Sequence, residues 1–360
     1  MQKIMQRERL QELLQKLSTV RICVVGDLFL DKWVFVNPEW EEPSIETGLP
    51  AHQVAYTQVC PGAAGTVLCN LRALGVGSVC AVSMLGDDGD GFEVLRGLSQ
   101  RGVDIAHVLR SPDIVTPTYL KPMFLQKGNL AAMTAIEAIE ASRFDFKNRR
   151  VTPPGLQKAL LERARAIAGE VDAILVLDQL TEENTGVVTE AMRAELASIA
   201  RNHPQLLVYA DSRAFIHKFC NMTIKCNNVE AARMALATPA ESAETFSQEA
   251  VFAAMDALAA QTGRPPFITC NAHGVACMLD GKSLLVPAVR QSGPIDVCGA
   301  GDACSAGIAA ALCAGANNAE AAFVGNLSAG VTVRKLGETG TASPAEILAL
   351  FDEQFAGGVQ

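Results

Sequence analysis

Apolar residues recur along this chain with two different periods, and the way the periods alternate predicts the architecture. Ile4, Leu10, Leu13, Leu14 and Leu17 fall at helical spacing, so residues 2–17 are expected to form an amphipathic helix that packs by one face. Arg21–Val25 then reads as a short β-run closed by Gly26 and Asp27. A polar stretch with proline and tryptophan follows to about Val54, too irregular in its alternation for a buried strand. Pro61-Gly62-Ala63-Ala64-Gly65-Thr66 is a glycine-rich turn that opens a helix over Val67–Leu74, ended by Gly75. Val79–Met84 is the next strand, and residues 105–125 read as two short strands around Ser111-Pro112.

Further on, the apolar runs become continuous and short. Ala173–Leu177 ends at Asp178, Leu206–Ala210 ends at Asp211, Met222–Lys225 leads to Asn227, and Phe267–Cys270 leads to Asn271. Counting Asp27, five β-runs finish on Asp or Asn. Strands alternating with helical segments predict an α/β fold with a parallel, doubly wound sheet, whose ligands bind outside the carboxyl ends of the strands. A single terminal Asp is a routine turn residue. Five on one edge predict a shared polar cleft.

Composition narrows the classes without choosing among them. In 360 residues, 49% apolar and 19% charged, there is material for a large buried core. A net charge of -9 argues against a general binder of nucleic acid or anionic membrane. No apolar run reaches membrane-spanning length, and the longest, Ala303–Ala316, is alanine-rich and interrupted by Ser305, as a buried helix would be. The N-terminus has no signal-like apolar core. The 11 cysteines, odd in number and without a C-x-x-C, are expected to be reduced buried thiols in a cytoplasmic protein. The 5 histidines lack ligand spacing, so no zinc site is expected. The acidic cluster Gly86–Gly91 lacks the bidentate glutamate of a calcium loop and reads as a helix start.

The chemistry concentrates in Asp296-Val297-Cys298-Gly299-Ala300-Gly301-Asp302-Ala303-Cys304-Ser305-Ala306-Gly307. Gly299 and Gly301 allow a tight turn and close approach of backbone to a ligand. A helix starting near Ala300 would present unpaired N–H groups, a ready anion site. A carboxylate there, Asp302, can take the proton of a hydroxyl that attacks a bound phosphate. The same residues would also suit an ordinary glycine turn before a buried alanine helix. A dinucleotide fingerprint fits less well, because Ser305 comes roughly where its third glycine belongs.

The full pattern D-x-x-G-A-G-D, followed by small residues and Gly307, resembles the signature of the ribokinase-like (PfkB) carbohydrate kinases. The resemblance extends over roughly residues 21–345. Val24-Val25-Gly26-Asp27 with Asp31 is most similar to the kinase domain of bacterial ADP-heptose synthesis enzymes, which phosphorylate D-glycero-β-D-manno-heptose 7-phosphate at its C1 hydroxyl. It implies a three-layer α/β/α kinase domain over 21–352 behind an N-terminal helix at 1–20, with a small β-lid from segments near 32–58 and 106–126. It implies Asp302 as catalytic base, with Gly299, Ala300 and Gly301 as the anion hole. Asp27, Asp31, Gly62, Ala63, Thr66, Arg143 and Asp178 would bind the sugar. Asn227-Asn228-Val229-Glu230 matches the N-x-x-E motif that orders magnesium-bound water and the ATP phosphates, so Glu230 would meet Mg2+ through water. Thr269, Asn271 and Gly274 would lie beside the nucleotide, and Asn326 and Gly330 would wall the adenine.

Departures gather at the sugar end. The family usually has two adjacent glycines where this chain has Gly62-Ala63, and asparagine at Thr66. The heptose kinases carry an acidic residue at Lys147 and tyrosine at Gln179. With 360 residues, the chain is not expected to include the nucleotidyltransferase half of the bifunctional enzymes. The expected activity is ATP- and Mg2+-dependent transfer to a sugar or sugar-phosphate hydroxyl. A kinase for a free sugar or nucleoside, and a non-catalytic sensor on the same fold, are the alternatives. Trp33, Phe35, Trp40 and Tyr56 in the lid predict a homodimer. Lys121, Arg143, Lys147, Arg149 and Arg150 form a basic set suited to an acceptor phosphate, the last three also suiting a plain solvated run.

Overall fold

The computed structural model describes residues 4–126, 138–236, 246–337 and 339–355. Its centre is a nine-stranded sheet of β1 (Arg21–Gly26), β4 (Ser78–Gly86), β5 (Val108–Ser111), β9 (Ala173–Asp178), β10 (Leu207–Ser212), β11 (Thr223–Asn227), β12 (Phe267–Thr269), β13 (Val275–Leu279) and β14 (Lys282–Val286). The strand order is β14-β13-β12-β11-β10-β9-β1-β4-β5, parallel from β12 to β5, with β13 and β14 added antiparallel.

Continuous apolar runs fit this sheet because both of its faces are covered. Ile22 and Val24 of β1, with Ala173, Leu175 and Leu177 of β9, point into one buried cluster. Cys23 and Val25, with Ile174 and Val176, point into the other. Helices Ala64–Ala73, Ala300–Cys313, Asn318–Thr332 and Pro344–Phe355 contribute to the first cluster, and Pro154–Ile167, Glu190–Asn202 and Gln248–Thr262 to the second. The fold is thus a three-layer α/β/α sandwich.

The N-terminal periodicity gives a helix over Arg7–Lys16, extended by a short 3₁₀ turn at Leu17–Thr19. Residues 2 and 3 of the expected helix lie outside the described residues. Leu10, Leu13 and Leu14 bury its apolar face, and Arg9 pairs with Glu320 at 3.0 Å.

A second sheet stands apart from the first. It contains β2 (Leu28–Pro43), β3 (Pro50–Ala63), β6 (Thr118–Leu125), β7 (Ala138–Glu140) and β8 (Phe144–Phe146), in the order β3-β2-β6-β7 with β8 also on β6. The stretch expected to be irregular is therefore a long antiparallel hairpin, whose register shifts beside Phe35 and between Asn37 and Glu42 break its alternation. Val108–Ser111, expected in the lid, instead pairs with Ser83–Gly86 on the edge of the main sheet.

Phe35 is fully buried and stacks on the half-buried Tyr56 at 4.3 Å, so Phe35 does not join the exposed aromatic surface expected of it. Trp40, Ile45, Leu49 and Val54 do remain exposed at the far end of the hairpin. Among the described residues no helix is long and apolar enough to cross a membrane.

Candidate active site

The five Asp and Asn residues read from the strand ends all lie at or beside the carboxyl ends of parallel strands, but they do different things. Asp27 is buried, and its carboxylate accepts the backbone N–H groups of Val187 at 2.7 Å and Gln179 at 3.1 Å. Gly186 is needed there, because a Cβ would fall 2.4 Å from Asp27 Oδ1. Asp178 accepts from Ser212 Oγ at 2.8 Å, with Arg193 Nη1 3.8 Å away. Burial and the neighbouring Asp27 push its carboxyl up to about 7. Both sugar candidates are thus engaged by the protein interior. Gln179, beside Asp178, contributes its backbone rather than its side chain to this contact.

Asp31, on β2, is placed otherwise. Gly62 lies under its carboxylate, where a Cβ would come within 2.5 Å of Oδ2. Among the described residues no hydrogen-bond donor holds that carboxylate. Burial raises its pKa, while the charges of Lys121 and Arg143 act to lower it. The two cations therefore face Asp31 from β6 and from the turn before β8. Arg143 is exposed, bonded to Asp145 by Nε at 2.7 Å and Nη2 at 2.9 Å, with its guanidinium 4.7 Å from the Tyr119 ring centre. Its flanking Phe144 is exposed too. Lys147 also sits over Tyr119, at 5.9 Å, and Arg149 pairs loosely with Glu182 at 3.5 Å.

The turn after Gly62 carries an outlier. Ala63 has φ 53 and ψ -119, a conformation that disfavours any residue with a Cβ. Ala64 N–H then bonds to Asp27 O at 3.1 Å, starting the helix Ala64–Ala73 directly from the strand. Thr66 is buried in its first turn, and its Cγ2 lies 3.5 Å from where a Gly299 Cβ would stand. The two glycine turns therefore abut.

Gly299 is the N-cap of the helix Ala300–Cys313, at φ 73 and ψ 0. Only glycine adopts this without strain, and a Cβ would also meet Thr339 Cγ2 at 2.9 Å. Asp296 pins the turn, accepting from Cys298 N at 2.9 Å and Gly337 N at 3.2 Å. Of the expected anion-hole donors, Ala300 N–H is already bonded to Val297 O at 3.2 Å. Gly299 and Gly301 N–H meet no carbonyl among the described residues and keep the role open.

Asp302 lies in the first helical turn, with part of its surface open to the cleft. Burial on its remaining sides and the charge of Asp211 push its carboxyl up to about 7, against the pull of Lys225 and Arg213; Asp31 adds to the rise. The carboxylates of Asp31 and Asp302 thus sense each other across one cleft.

Asn227 and Glu230 cap the helix Asn228–Leu236 reciprocally: Asn227 N–H donates to Glu230 Oε2 and Glu230 N–H to Asn227 Oδ1, both at 2.8 Å. Burial and the nearby Asp211 raise the Glu230 carboxyl, so a cation beside it would offset an existing cost. Among the described residues no group of three His, Cys, Asp or Glu could hold a metal. Any Mg2+ would be held mainly by phosphates and water, as suits that ion.

Thr269 Oγ1 reaches Cys226 O at 3.4 Å. Asn271 begins a tight loop ending at Gly274, whose Cβ would fall 2.1 Å from Val286 O. Asn326 spends its amide on Val286 O and Pro287 O, both at 3.0 Å. Gly330 leaves room for Val289, whose Cγ2 would be 2.3 Å from a Cβ there. Asn326 by hydrogen bonds and Gly330 by close packing thus hold the segment Val286–Val289 against the helix Asn318–Thr332.

Sequence reasoning missed Lys225, whose Nζ donates to Asp211 Oδ2 at 2.8 Å, and Ser305, whose Oγ donates to the same oxygen at 3.0 Å. It also missed Arg213, whose charge acts on both Asp302 and Glu230. A lysine two residues before an N-x-x-E motif was the available signal.

The profile of the pfkB family carbohydrate kinases matches residues 21–346. The bifunctional protein HldE of Trichlorobacter lovleyi is 30% identical over 349 residues, covering 96% of this chain and 65% of that protein. HldE of Geobacter sulfurreducens is 27% identical, covering 98% of this chain and 67% of that one. The chain thus spans about two thirds of the length of the curated relatives it matches. Among solved structures, Arabidopsis thaliana ribokinase complexed with ribose and ATP superposes with a TM-score of 0.66 at 16% identity, over 92% of this chain and 98% of that one. Phosphofructokinase-2 of Escherichia coli gives 0.66 at 15%, over 93% and 99%.

Proposed function

Because the chain belongs to the pfkB family of carbohydrate kinases, a family of alcohol-accepting phosphotransferases, we propose that it transfers the γ-phosphoryl group of ATP to a hydroxyl of a sugar phosphate resembling heptose phosphate. The observation that carries this reading is the placing of Asp302 in the open first turn of a helix, its carboxyl raised to about 7. A base with a pKa near the working pH both takes a proton and gives it up readily. Asp302 would orient and deprotonate the acceptor hydroxyl. The Gly299 and Gly301 N–H groups would receive charge developing on the phosphoryl oxygens, which is where fixed donors act best.

Asp31 would accept two sugar hydroxyls, since a carboxylate with no protein donor suits a vicinal pair. Asp27 and Asp178 would fix the strand ends that carry the cleft. Glu230 would hold Mg2+ through water, and the ion when bound would offset phosphate charge. Thr269, Asn271 and Gly274 would lie beside the nucleotide, with Asn326 and Gly330 behind the adenine. The second sheet, which carries Asp31 on β2, would act as the lid.

Lys121 and Arg143 facing Asp31 favour an acceptor that carries its own phosphate. The bidentate hold of Asp145 on Arg143 favours the second reading, a free-sugar kinase. Protomers would pair through the hairpin end bearing Trp40, Ile45, Leu49 and Val54, where β3 is a sheet edge. Measuring ADP release from purified protein across sugars and sugar phosphates tests the reading. A phosphorylated acceptor should be preferred, and a free hexose or nucleoside as best acceptor would refute that part.

A further inference from the structure

Lys225 is buried, its side chain 9% exposed, at the carboxyl end of β11. A buried ammonium is expensive unless it is paired and hydrogen-bonded. Burial alone would lower its pKa, but Asp211 on the neighbouring β10 outweighs that and keeps it protonated. Ser305, from the helix behind the anion hole, completes the hold on Asp211 at 3.0 Å. An ammonium has three N–H donors, and Asp211 takes one of them.

Gly301 shows where another could go. It is helical and outside the left-handed range, so its backbone does not require glycine. Glycine in a helix is less stable than alanine. Among the described residues, and beyond its two chain neighbours and the helix's own nearby backbone, the one atom within 4 Å of a Cβ built at this position is Lys225 Nζ, at 3.4 Å. An alanine methyl there would be in contact with that ammonium. Lys225 also lies close enough to Asp302 for its charge to pull that carboxyl down.

We infer that Lys225 is a catalytic residue whose ammonium reaches, through the gap kept by Gly301, an oxygen of the phosphoryl group in transfer. Asp211 and Ser305 are the positioning residues that aim it. The inference rests on the kinase reading above and adds a cation to the site. The bland competitor is that Lys225 merely neutralises Asp211.

The test separates the two by removing both charges together. Lys225→Met alone strands Asp211 and is expected to destabilise the fold, whereas Lys225→Met with Asp211→Asn leaves no unpaired charge. Thermal melting would report folding, and calorimetry would measure binding of the β,γ-imido analogue of ATP and of ADP, each with magnesium. The double variant should recover its melting temperature yet bind the triphosphate analogue about 10–100-fold more weakly, the scale of one charge-assisted hydrogen bond, with ADP affinity changed less than about threefold. Gly301→Ala, which keeps the charge pair, should show the same selective loss. A folded double variant, or a folded Gly301→Ala, with wild-type preference for the triphosphate overturns the inference while leaving the kinase reading intact. Failure of the wild-type protein to bind the triphosphate analogue at all would refute both.

Discussion

Asp302→Asn tests whether the proposed base is held at a cost to the fold. The carboxyl is raised from 3.8 to about 7, chiefly by burial and then by Asp211. Among the described residues no donor bonds to its side chain, so the amide loses no contact. A folded-state pKa above the unfolded value means that the native state binds the extra proton. Stability contributed by that proton is therefore full below 3.8 and is lost as pH rises towards about 7. The shift corresponds to roughly 4 kcal/mol above both values, and screening at the open part of the surface reduces it to about 2–4 kcal/mol. An uncharged asparagine escapes the penalty. Urea unfolding of both proteins from about pH 5 to about pH 8.5 should show the variant's advantage growing by about 2 kcal/mol across the series. Turnover in the same preparation should fall on the order of 10²–10⁴-fold while ATP still binds. A stability difference that does not change with pH would refute the buried-charge argument. Retention of roughly a tenth of the activity, well above the loss expected for a missing base, would remove Asp302 from the mechanism.

Glu230→Gln keeps an acceptor for the Asn227 cap and removes the charge, so the magnesium concentration for half-maximal rate should rise while sugar affinity holds; weakened sugar binding at normal magnesium dependence would move this motif across the cleft. Arg143→Ala should raise the KM of a phosphorylated acceptor by about tenfold or more and leave the ATP KM nearly unaltered, and an unchanged acceptor KM would leave Arg143 to its pair with Asp145. Sedimentation at micromolar concentration should give a dimer, which Trp40→Glu dissociates; a monomeric wild-type mass would rule the hairpin interface out.

The legible part of this fold was the part in which neighbours in sequence decide the outcome. A run such as Ala173–Leu177 is apolar at every position because both faces of its strand are buried, and that shows without knowing the partners. The glycine pair at Gly299 and Gly301, with Asp302 behind it, is likewise local, and so could be read as an anion-binding helix start. The hairpin from Leu28 to Ala63 could not be read this way. One end of β2 is buried, the middle is partly covered and the far end is exposed, and the register shifts beyond Phe35 move side chains between faces. Periodicity cannot survive a change of environment every few residues.

Asp27 and Asp31 show the same limit at single-residue scale. Both follow one strand within a few positions, yet Asp27 turns inward to Val187 and Gln179, whereas Asp31 lies over Gly62 in the cleft. Their partners lie on segments distant in sequence, and only the packed sheet decides which carboxylate is left without a hydrogen-bond donor among the described residues. Lys225 depends still more on long-range contacts. Its charge is tolerated because β10 places Asp211 beside it, and Gly301, 76 residues away in number, leaves room beside its ammonium. No window of sequence contains that triangle. A glycine with no backbone need for glycine is the trace it leaves in the structure, since an alanine methyl at Gly301 would come within 3.4 Å of the Lys225 ammonium.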